Sequence, residues 1–312
     1  MHHGGGKDGT ETLRGIAVAP SHWFLVGLLA AACQGRCLAE EGEAAELGFG
    51  FHGSLYYGVS NLQGPVRRNT DGVWAGVGSQ EPSTLAVSWK GSRGNEGLAS
   101  FGIGDMYTGP ERTVKQPVEC LFRVQSAEGS WTCGKHYVPF ALQEWEYETR
   151  WGILYEVESG SGTLAVSTTY NEDTRAANTL ARAEIRTSSR TRVGLSAAAG
   201  RGWSYSSSHA WGYGVDCSVE CRHATIEGEF LEGRGRNGAF QFGFVRVRTE
   251  VGRGVAPYMA GYYCHDAGDE MGELRSGVLG VEIEASPHLV LEPGVGRSNG
   301  RNVWWLQAHL AF

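Results

Sequence analysis

The last nine residues alternate strictly between two kinds of side chain, and no other stretch of similar length constrains the fold as tightly. One side of the ribbon carries Trp304, Leu306, Ala308, Leu310 and Phe312, and the other carries Trp305, Gln307, His309 and Ala311. A period of two predicts a β-strand, because successive side chains of a strand point to opposite faces. An apolar row at a chain end needs a cover, since a frayed strand would expose it to water. An ordinary soluble sheet or a lipid-facing barrel wall could provide that cover.

The same alternation continues from Leu47 onward in short segments separated by turn residues, and no long stretch has helical periodicity. The clearest internal segment has apolar or aromatic residues at alternate positions from Trp145 to Val157, with mostly acidic residues between them. Similar two-faced rows contain Leu85, Val87 and Trp89; Ala181, Ala183 and Ile185; Trp211, Tyr213, Val215, Cys217 and Val219; and Val281 and Ile283. These rows predict a chain built almost wholly of strands.

Composition helps to choose the class of β-protein. The chain has 47 Gly against 9 Pro, with 10 Trp, 12 Tyr and 11 Phe, as many strands and turns require. Its mean hydropathy of −0.27 excludes a helical membrane protein, but in a barrel only every second residue meets lipid. A soluble sandwich would need two cores, whereas a large barrel can line a wet lumen with Glu and Arg. We therefore predict an all-β fold, a single transmembrane antiparallel β-barrel of about 14–16 strands (range roughly 12–16, even total).

One segment does not fit the simple pattern. Phe240, Phe242 and Phe244 share a face with Arg246, Arg248 and Glu250. If the aromatic residues face lipid, the arginines would also face it. We therefore expect a bulge, or an exit from the membrane, within this segment.

The N-terminal part predicts an export signal. The apolar run from Trp23 to Cys33 is too short to span a bilayer as a helix and fits the core of a signal peptide. Cleavage after Ala39 would divide the chain into a signal peptide, residues 1–39, and an outer-membrane β-barrel, residues 40–312. A lipoprotein cleavage site at Cys33 is the alternative.

Five cysteines follow the predicted signal peptide, so they cannot all pair with one another. Cys120 and Cys133 are expected on adjacent strands without being directly opposite. Cys217 and Cys221 are expected on one face of a single strand, about 13 Å apart, which is too far for a disulfide. We expect the cysteines to act mainly as small apolar wall residues.

Charge and turn chemistry add further expectations. The net charge of −7 and the absence of Lys/Arg-rich runs argue against nucleic acid as a partner. The basic residues are almost all Arg, which suits fixed ion pairs in a lumen wall, although a GC-rich genome would give the same bias. Tight turns are predicted at 159–162, 128–129 and 298–300. Connections at 63–72, 91–97, 107–116, 203–209 and 265–273 are predicted as loops on the outer side.

Two sets of residues carry a family resemblance. The terminal row ending in Phe312 resembles the carboxy-terminal signature of bacterial outer-membrane proteins. The segment Gly134-Lys135-His136-Tyr137-Val138-Pro139-Phe140 and the region from Gly280 to Phe312 resemble porins of the phosphate-selective porin O and P group. The resemblance implies a bacterial outer-membrane β-barrel porin with a water-filled channel. Phosphate selectivity is not carried over, because the chain has four Lys and acidic wall rows instead of a basic constriction.

Two sets of candidate site residues follow from these rows. Pore-lining residues are predicted at Glu144, Glu146, Glu148, Arg150, Arg182, Glu184, Arg186 and Arg192. The membrane-insertion signature is Trp304, Leu306, Leu310 and Phe312. The expected partners are the lipid bilayer of the outer membrane, the outer-membrane assembly machinery and small hydrophilic solutes, with a homo-oligomer possible. No cofactor, metal or catalytic residue is predicted.

Two chemical alternatives have weaker support. Ser298 lies in a Ser-Asn-Gly segment similar to that of outer-membrane phospholipases, but Gly296 stands where the activating His would be. The acidic segment 265–270 could supply oxygen ligands to Ca²⁺, but it lacks the spacing of an EF-hand.

The leading hypothesis for function is passive diffusion of small hydrophilic solutes through a charged lumen in the cell outer membrane, with a mild cation preference. Inward-pointing bulky residues, or a loop folded into the lumen, would favour a non-conducting barrel acting as anchor, adhesin or surface-interaction protein. A soluble secreted β-protein that binds carbohydrate through its Trp and Tyr is the third hypothesis.

Overall fold

The computed structural model describes residues 48–62, 65–74, 78–91, 94–104, 117–142, 149–204, 206–236, 238–266 and 273–312. The predicted signal peptide, residues 1–39, lies outside the described residues. The same holds for the predicted wall residues Glu144, Glu146 and Glu148 and for 267–270 of the acidic segment.

Nineteen strands follow one another in the described residues. They are β1 (Gly48–Ser60), β2 (Arg67–Asn69), β3 (Gly72–Trp74), β4 (Gly78–Glu81), β5 (Thr84–Lys90), β6 (Glu96–Gly102), β7 (Glu119–Gln125), β8 (Ser130–Tyr137), β9 (Thr149–Ser159), β10 (Gly162–Asn171), β11 (Ala176–Ser188), β12 (Thr191–Ala199), β13 (His209–Glu220), β14 (Ala224–Gly235), β15 (Gly238–Thr249), β16 (Val255–Asp266), β17 (Glu273–Ser286), β18 (Leu289–Ser298) and β19 (Arg301–Ala311). No helix within the described ranges is long and apolar enough to cross a membrane.

Sixteen of these strands, β1 and β5 to β19, form one closed antiparallel barrel. Each strand pairs with the next, and β19 closes the sheet on β1 from Ser54 opposite Ala311 to Ser60 opposite Trp305. The last residue completes the seam, because the Phe312 amide donates to the Gly53 carbonyl at 3.0 Å and the Gly53 amide donates back at 2.8 Å. The predicted fold class, the upper end of the predicted strand range and the even total are confirmed.

The two ends of the barrel differ in their connections. Seven connections of two to five residues join strands at one end, which we call the turn end, where the C-terminus also lies. The longer connections, including 61–83, 103–118, 138–148 and 200–208, join strands at the opposite end, called the loop end. The tight turns at 128–129 and 160–161 are confirmed at the turn end, and 299–300 forms a tight turn at the loop end. The prediction for 91–97 is wrong, because β5 and β6 meet at the turn end with the short hairpins.

The outer face of the barrel carries an apolar belt. Its exposed side chains include Ile153, Leu164, Val166, Leu195, Val215, Phe230, Val245, Met259, Leu279, Val295 and Leu306. Outward aromatic residues near the turn end are Phe49, Phe51, Trp89, Trp131, Tyr155 and Phe312, and near the loop end they are Tyr170, Trp211, Tyr213, Tyr263 and Trp304. Trp304 and Phe312 are eight residues apart. That spacing is about 26 Å of strand, or about 20 Å of height at a tilt of about 40°, which suits the apolar band of a membrane barrel.

The terminal row has the predicted orientation. Trp304, Leu306, Leu310 and Phe312 are exposed on the outer face, whereas Trp305 and Gln307 are buried on the inner face. The four residues of the predicted membrane-insertion signature therefore lie on the outer surface of the closing strand, and their role in insertion stays a prediction.

The expectation of a bulge between Phe240 and Glu250 is wrong. β15 pairs without a register shift with β14 and β16, and Phe240, Phe242 and Phe244 are buried on the inner face. Arg246 and Arg248 lie on that same inner face, farther toward the turn end. Strict alternation is preserved because this part of the barrel interior is itself apolar.

The cysteines follow the prediction in part. Cys120 on β7 and Cys133 on β8 are on adjacent strands but opposite Lys135 and Phe122 respectively, as expected. Cys217 faces outward on β13, but Cys221 lies beyond the end of that strand, so the expectation of a shared strand is wrong. No disulfide bond joins any two of the five cysteines after residue 39, all of which lie in the described ranges.

The outer belt generates a direct prediction for stability. Leu195 lies at the middle of β12 on the exposed outer face, so Leu195→Arg places a charge near the centre of the bilayer. We expect the free energy of unfolding to fall by about 2–4 kcal/mol in urea titrations of protein folded into phospholipid vesicles.

Val251→Arg is the matched control, because Val251 is exposed in the turn between β15 and β16. Its expected cost is about 0–1 kcal/mol. Similar small losses for both variants would contradict a lipid-facing position for Leu195.

Candidate functional site

The barrel interior has two zones with different chemistry, and together they form the candidate site. Toward the turn end lies a charged girdle, which we define as Arg123, Arg182, Arg246 and Arg248 with their carboxylate partners Glu96, Glu156, Glu184, Asp216, Glu227 and Glu282. Toward the loop end lies an aromatic cluster, defined as Phe140, Trp203, His209, Phe240, Phe242 and Phe244.

The charged girdle consists of ion pairs between strands. Arg123 on β7 reaches Glu96 on β6 at 3.2 Å and Glu156 on β9 at 2.9 Å. On the far wall, Arg246 contacts Glu227 on β14 at 2.7 Å. Inward-facing residues of neighbouring strands stand side by side in an antiparallel sheet, and the long Arg side chain reaches one strand farther. The expectation that arginine forms fixed pairs on the inner wall is confirmed for these residues.

Arg248 extends the girdle to β17, where its Nε donates to Glu282 at 2.8 Å. The Arg123, Arg246 and Arg248 side chains retain 33%, 28% and 30% exposure although all three point into a closed barrel. Open space therefore adjoins these pairs inside the wall. Charged groups in such a position require water, because burial without it would carry a large desolvation cost.

Arg182 forms the most enclosed part of the girdle. Its guanidinium makes two hydrogen bonds to the buried Asp216 carboxylate, across β12, and a third to Glu184 at 3.1 Å. The side chain of Asp216 is almost fully buried, so Arg182 supplies its compensating charge. Arg182 also donates to the carbonyl of Ala141, which ties the girdle to a segment inside the lumen.

That segment, Val138–Leu142, follows the end of β8 and folds inward into the lumen of the barrel. The Ala141 amide donates to Ser196 Oγ at 2.8 Å and the Leu142 amide donates to Glu229 Oε2 at 3.0 Å. Ser196 lies on β12 and Glu229 on β14, so the segment reaches strands four and six places farther around the barrel than its own. Ala141 has a φ of 50°, a left-handed conformation that these side-chain acceptors hold in place.

The aromatic cluster packs on this segment. Phe140 and Trp203 have ring centroids 4.6 Å apart, and Phe240 lies 6.0 Å from Trp203. Two glycines give the rings room: a Cβ at Gly212 would lie 2.4 Å from Trp203 Cζ2, and one at Gly233 would lie 2.4 Å from Phe240 Cζ. The cluster therefore fills part of the interior at the level of the loop end.

A chain of hydrogen bonds crosses the aromatic cluster from Ser204 through His209 to Asp266. Ser204 Oγ bonds to His209 Nδ1, and His209 Nε2 lies 3.2 Å from Asp266 Oδ2. In such a series, an imidazole that is oriented by a carboxylate can activate the serine hydroxyl as a nucleophile. All three side chains are buried, and the ring of His209 stacks on Phe240 with centroids 3.9 Å apart. The arrangement is suited to anchoring the 200–208 connection to β16.

The predicted wall residues separate into several environments. Arg182 and Glu184 are brought together in the girdle. Arg150 points inward but is buried, and its NH2 group donates to the Ser204 carbonyl at 2.6 Å. Arg186 and Arg192 stand opposite each other at the turn end, where both are exposed. Their role in setting a channel potential stays a prediction.

Sequence reasoning missed much of the site. The sequence pattern does not mark Arg123 or Asp216, because each stands in a short segment without a charged row beside it. Phe240 and Arg246 were recognised as sharing a face, but that face was not assigned to the interior. Ser298, considered as a nucleophile, ends β18 at the hairpin with β19, as the turn interpretation expected.

Across the ranges that the structure covers, no group of three or more His, Cys, Asp or Glu side chains could hold a metal ion. The Ca²⁺ alternative for 265–270 rests largely on residues outside those ranges.

No family model matches the chain, and no curated protein matches it. Solved structures do match its fold. In-vitro folded OmpT of Vibrio cholerae in its trimer form has a TM-score of 0.65 at 12% identity, covering 85% of this chain and 99% of that one. The anion-selective porin of Comamonas acidovorans has a TM-score of 0.64 at 12% identity, covering 86% of this chain and 100% of that one. A triple mutant of Rhodopseudomonas blastica porin has a TM-score of 0.56 at 10% identity, covering 85% of this chain and 100% of that one.

The chain therefore has the fold of bacterial outer-membrane barrels such as these porins. Its closed sheet and outer apolar belt are what a lipid bilayer demands of a β-protein, since no strand edge is left unpaired in hydrocarbon. The architecture supports the predicted location in the cell outer membrane. Assignment to the phosphate-selective porin O and P group is not confirmed.

The enclosed Arg182–Asp216 pair gives a second stability prediction. Arg182→Gln leaves the Asp216 carboxylate without its charge partner, and we expect the free energy of unfolding to fall by about 3–5 kcal/mol. The measurement is urea unfolding in phospholipid vesicles, followed by tryptophan fluorescence.

Arg123→Gln is the matched control, since its carboxylate partners Glu96 and Glu156 are more exposed. A loss of about 1 kcal/mol or less is expected there. Equal losses for the two variants would show that the two pairs do not differ in enclosure.

Proposed function

We propose that this protein is an outer-membrane porin that gives small hydrophilic solutes a passive path through its lumen. The observation that carries the proposal is the partial exposure of paired charged side chains inside a closed barrel. Arg123, Arg246 and Arg248 border open interior space from different parts of the wall. A water-filled lumen is the simplest environment for such a girdle.

The segment Val138–Leu142 would form the constriction of this channel. It projects from β8 toward β12 and β14, and its backbone is fixed by Ser196 and Glu229. It also contains the Val-Pro-Phe part of the segment that resembles the phosphate-selective porin O and P group. Its position in the lumen supports a channel of the same general kind, without supporting phosphate as the permeant.

We propose a mild preference for cations. The chain has a net charge of −7, and the inward rows end in exposed Glu158, Glu220 and Glu284 at the turn end. The Comamonas acidovorans structure is described as anion-selective, so a shared barrel fold does not fix the sign of selectivity. Local charge at the narrowest region would set it.

A non-conducting barrel is the second candidate, and the aromatic cluster is the observation that favours it. Trp203 and Phe240 fill interior space toward the loop end. If this filling extends across the lumen, the barrel would serve as an anchor, an adhesin or a surface-interaction protein.

We propose no catalytic activity and no cofactor. Ser204 and His209 are sealed inside the aromatic cluster, where a substrate cannot reach the hydroxyl. For the assembled state, we propose that the chain inserts through the outer-membrane assembly machinery and forms a homo-oligomer. The trimer form of the Vibrio cholerae barrel is the precedent for that last point.

The conductance of purified protein in planar lipid bilayers tests the channel. We expect stepwise current increments with cations passing more readily than chloride. Phe140→Ala should enlarge each increment, because it removes a ring from the segment that narrows the lumen.

Phe230→Ala is the matched control: the same side chain is removed from the outer face, and the increments should not change. The absence of any increments in both the wild-type protein and Phe140→Ala would reject the porin in favour of the non-conducting barrel. A clear anion preference would reject the proposed selectivity.

A further inference from the structure

A groove on the outside of the barrel has a chemistry unlike the apolar belt beside it. The groove has a volume of about 510 Å³ and lies near the loop end of β16, β17 and β18. Tyr263, Arg275, Gly277 and Arg297 are among its lining residues. The space above Gly277 is open, because a Cβ there would meet no atom within 4 Å.

Strand pairing places both arginines of the groove on the lipid-facing side. Arg275 stands opposite Tyr263, and Arg297 stands opposite Gly277. The next outward pair toward the turn end is Leu279 with Val295, which are 58% and 57% exposed and belong to the apolar belt. The groove therefore adjoins the edge of the apolar belt that is nearer to the loop end.

These arginines differ from those of the charged girdle in their partners. Each girdle arginine contacts a carboxylate at 3.2 Å or less. Among the residues that the structure describes, the carboxylate paired with Arg275 is that of Glu273 at 3.7 Å, and it is largely exposed to solvent. Arg297 donates through Nε to the Gly300 carbonyl at 3.2 Å, and no ion pair of its guanidinium is found in the described part of the chain.

The position sets the chemistry of a ligand. Arginine on the outer wall is costly at the centre of a bilayer but is tolerated near the interface, at the level of the lipid headgroups. Guanidinium groups bind phosphate through paired N–H donors, and Tyr263, whose ring lies 5.8 Å from the Arg275 guanidinium carbon, supports that side chain. Acyl chains of the same lipid would pack on Leu279 and Val295.

We propose that this groove binds the phosphate of an anionic membrane lipid in the leaflet at the loop end. A lipid is favoured over free phosphate because the groove opens on the lipid-facing wall and continues into the apolar belt. The proposal concerns the outside of the barrel, so it stands or falls independently of conduction through the lumen.

Native mass spectrometry of the full chain, released from nanodiscs containing equal amounts of phosphatidylglycerol and phosphatidylcholine, tests the site. We expect the wild-type protein to retain phosphatidylglycerol at least about fivefold over phosphatidylcholine, because a charge-assisted bond to arginine contributes about 1 kcal/mol or more. Arg275→Gln together with Arg297→Gln should abolish the preference. Arg275→Lys together with Arg297→Lys should retain part of it.

The control is Arg190→Gln together with Arg253→Gln, which removes two arginines from the connections at the turn end. This variant should keep the wild-type preference. Heat-dependent migration on gels establishes that each variant forms the barrel. The proposal is overturned if the Arg275/Arg297 glutamine variant folds and keeps the preference, or if millimolar inorganic phosphate displaces the lipid from the wild-type protein.

Discussion

Backbone pairing in a medium without water is the constraint from which the rest of this structure follows. Within hydrocarbon, an unpaired amide or carbonyl costs several kcal/mol, so a sheet that spans a bilayer must have no free edge. In this chain the last free edge is removed where β19 meets β1 and where Phe312 and Gly53 exchange two backbone hydrogen bonds. The exposed Phe312 ring then continues the outer row of the closing strand.

Closure of the barrel fixes the direction of all side chains on its strands, which point alternately outward and inward. Outward positions meet lipid, so they carry the apolar belt and its aromatic margins. Inward positions are freed from that requirement, and the chain uses them for two purposes. Near the turn end they form the charged girdle around open space, and near the loop end they form the aromatic cluster that holds Val138–Leu142 in the lumen. The proposed channel depends on both zones, because one keeps the lumen wet and the other narrows it.

The parts of this arrangement that depend on local alternation could be predicted from sequence. Rows such as Trp211 to Val219 and Trp304 to Phe312 specify their faces because a one-residue slip would turn every side chain to the wrong side. Counting such rows gives about 14–16 strands, and the barrel has the upper number of that range.

The contents of the lumen could not be predicted in this way. The direction of the row Phe240 to Phe244 does not follow from its sequence, because the row shares its face with Arg246, Arg248 and Glu250. Its inward direction depends on Trp203 and Phe140, which arrive from distant connections and give the rings an apolar environment. The partner of Arg182 is likewise set by tertiary placement, since Asp216 stands two strands away.

A scan of spin-labelled single cysteines along β15 would test the central account most directly, in protein whose native cysteines are replaced by alanine and which is folded into lipid vesicles. The account predicts a period of two in accessibility to oxygen, with maxima at the outward positions 243, 245 and 247. Inward positions 246 and 248 should be accessible to a water-soluble nickel reagent, whereas 240, 242 and 244 should be shielded from both reagents. Loss of the period of two would contradict a lipid-facing wall. Shielding of positions 246 and 248 from the nickel reagent as complete as that of 240, 242 and 244 would contradict a lumen that is wet at one end and packed at the other.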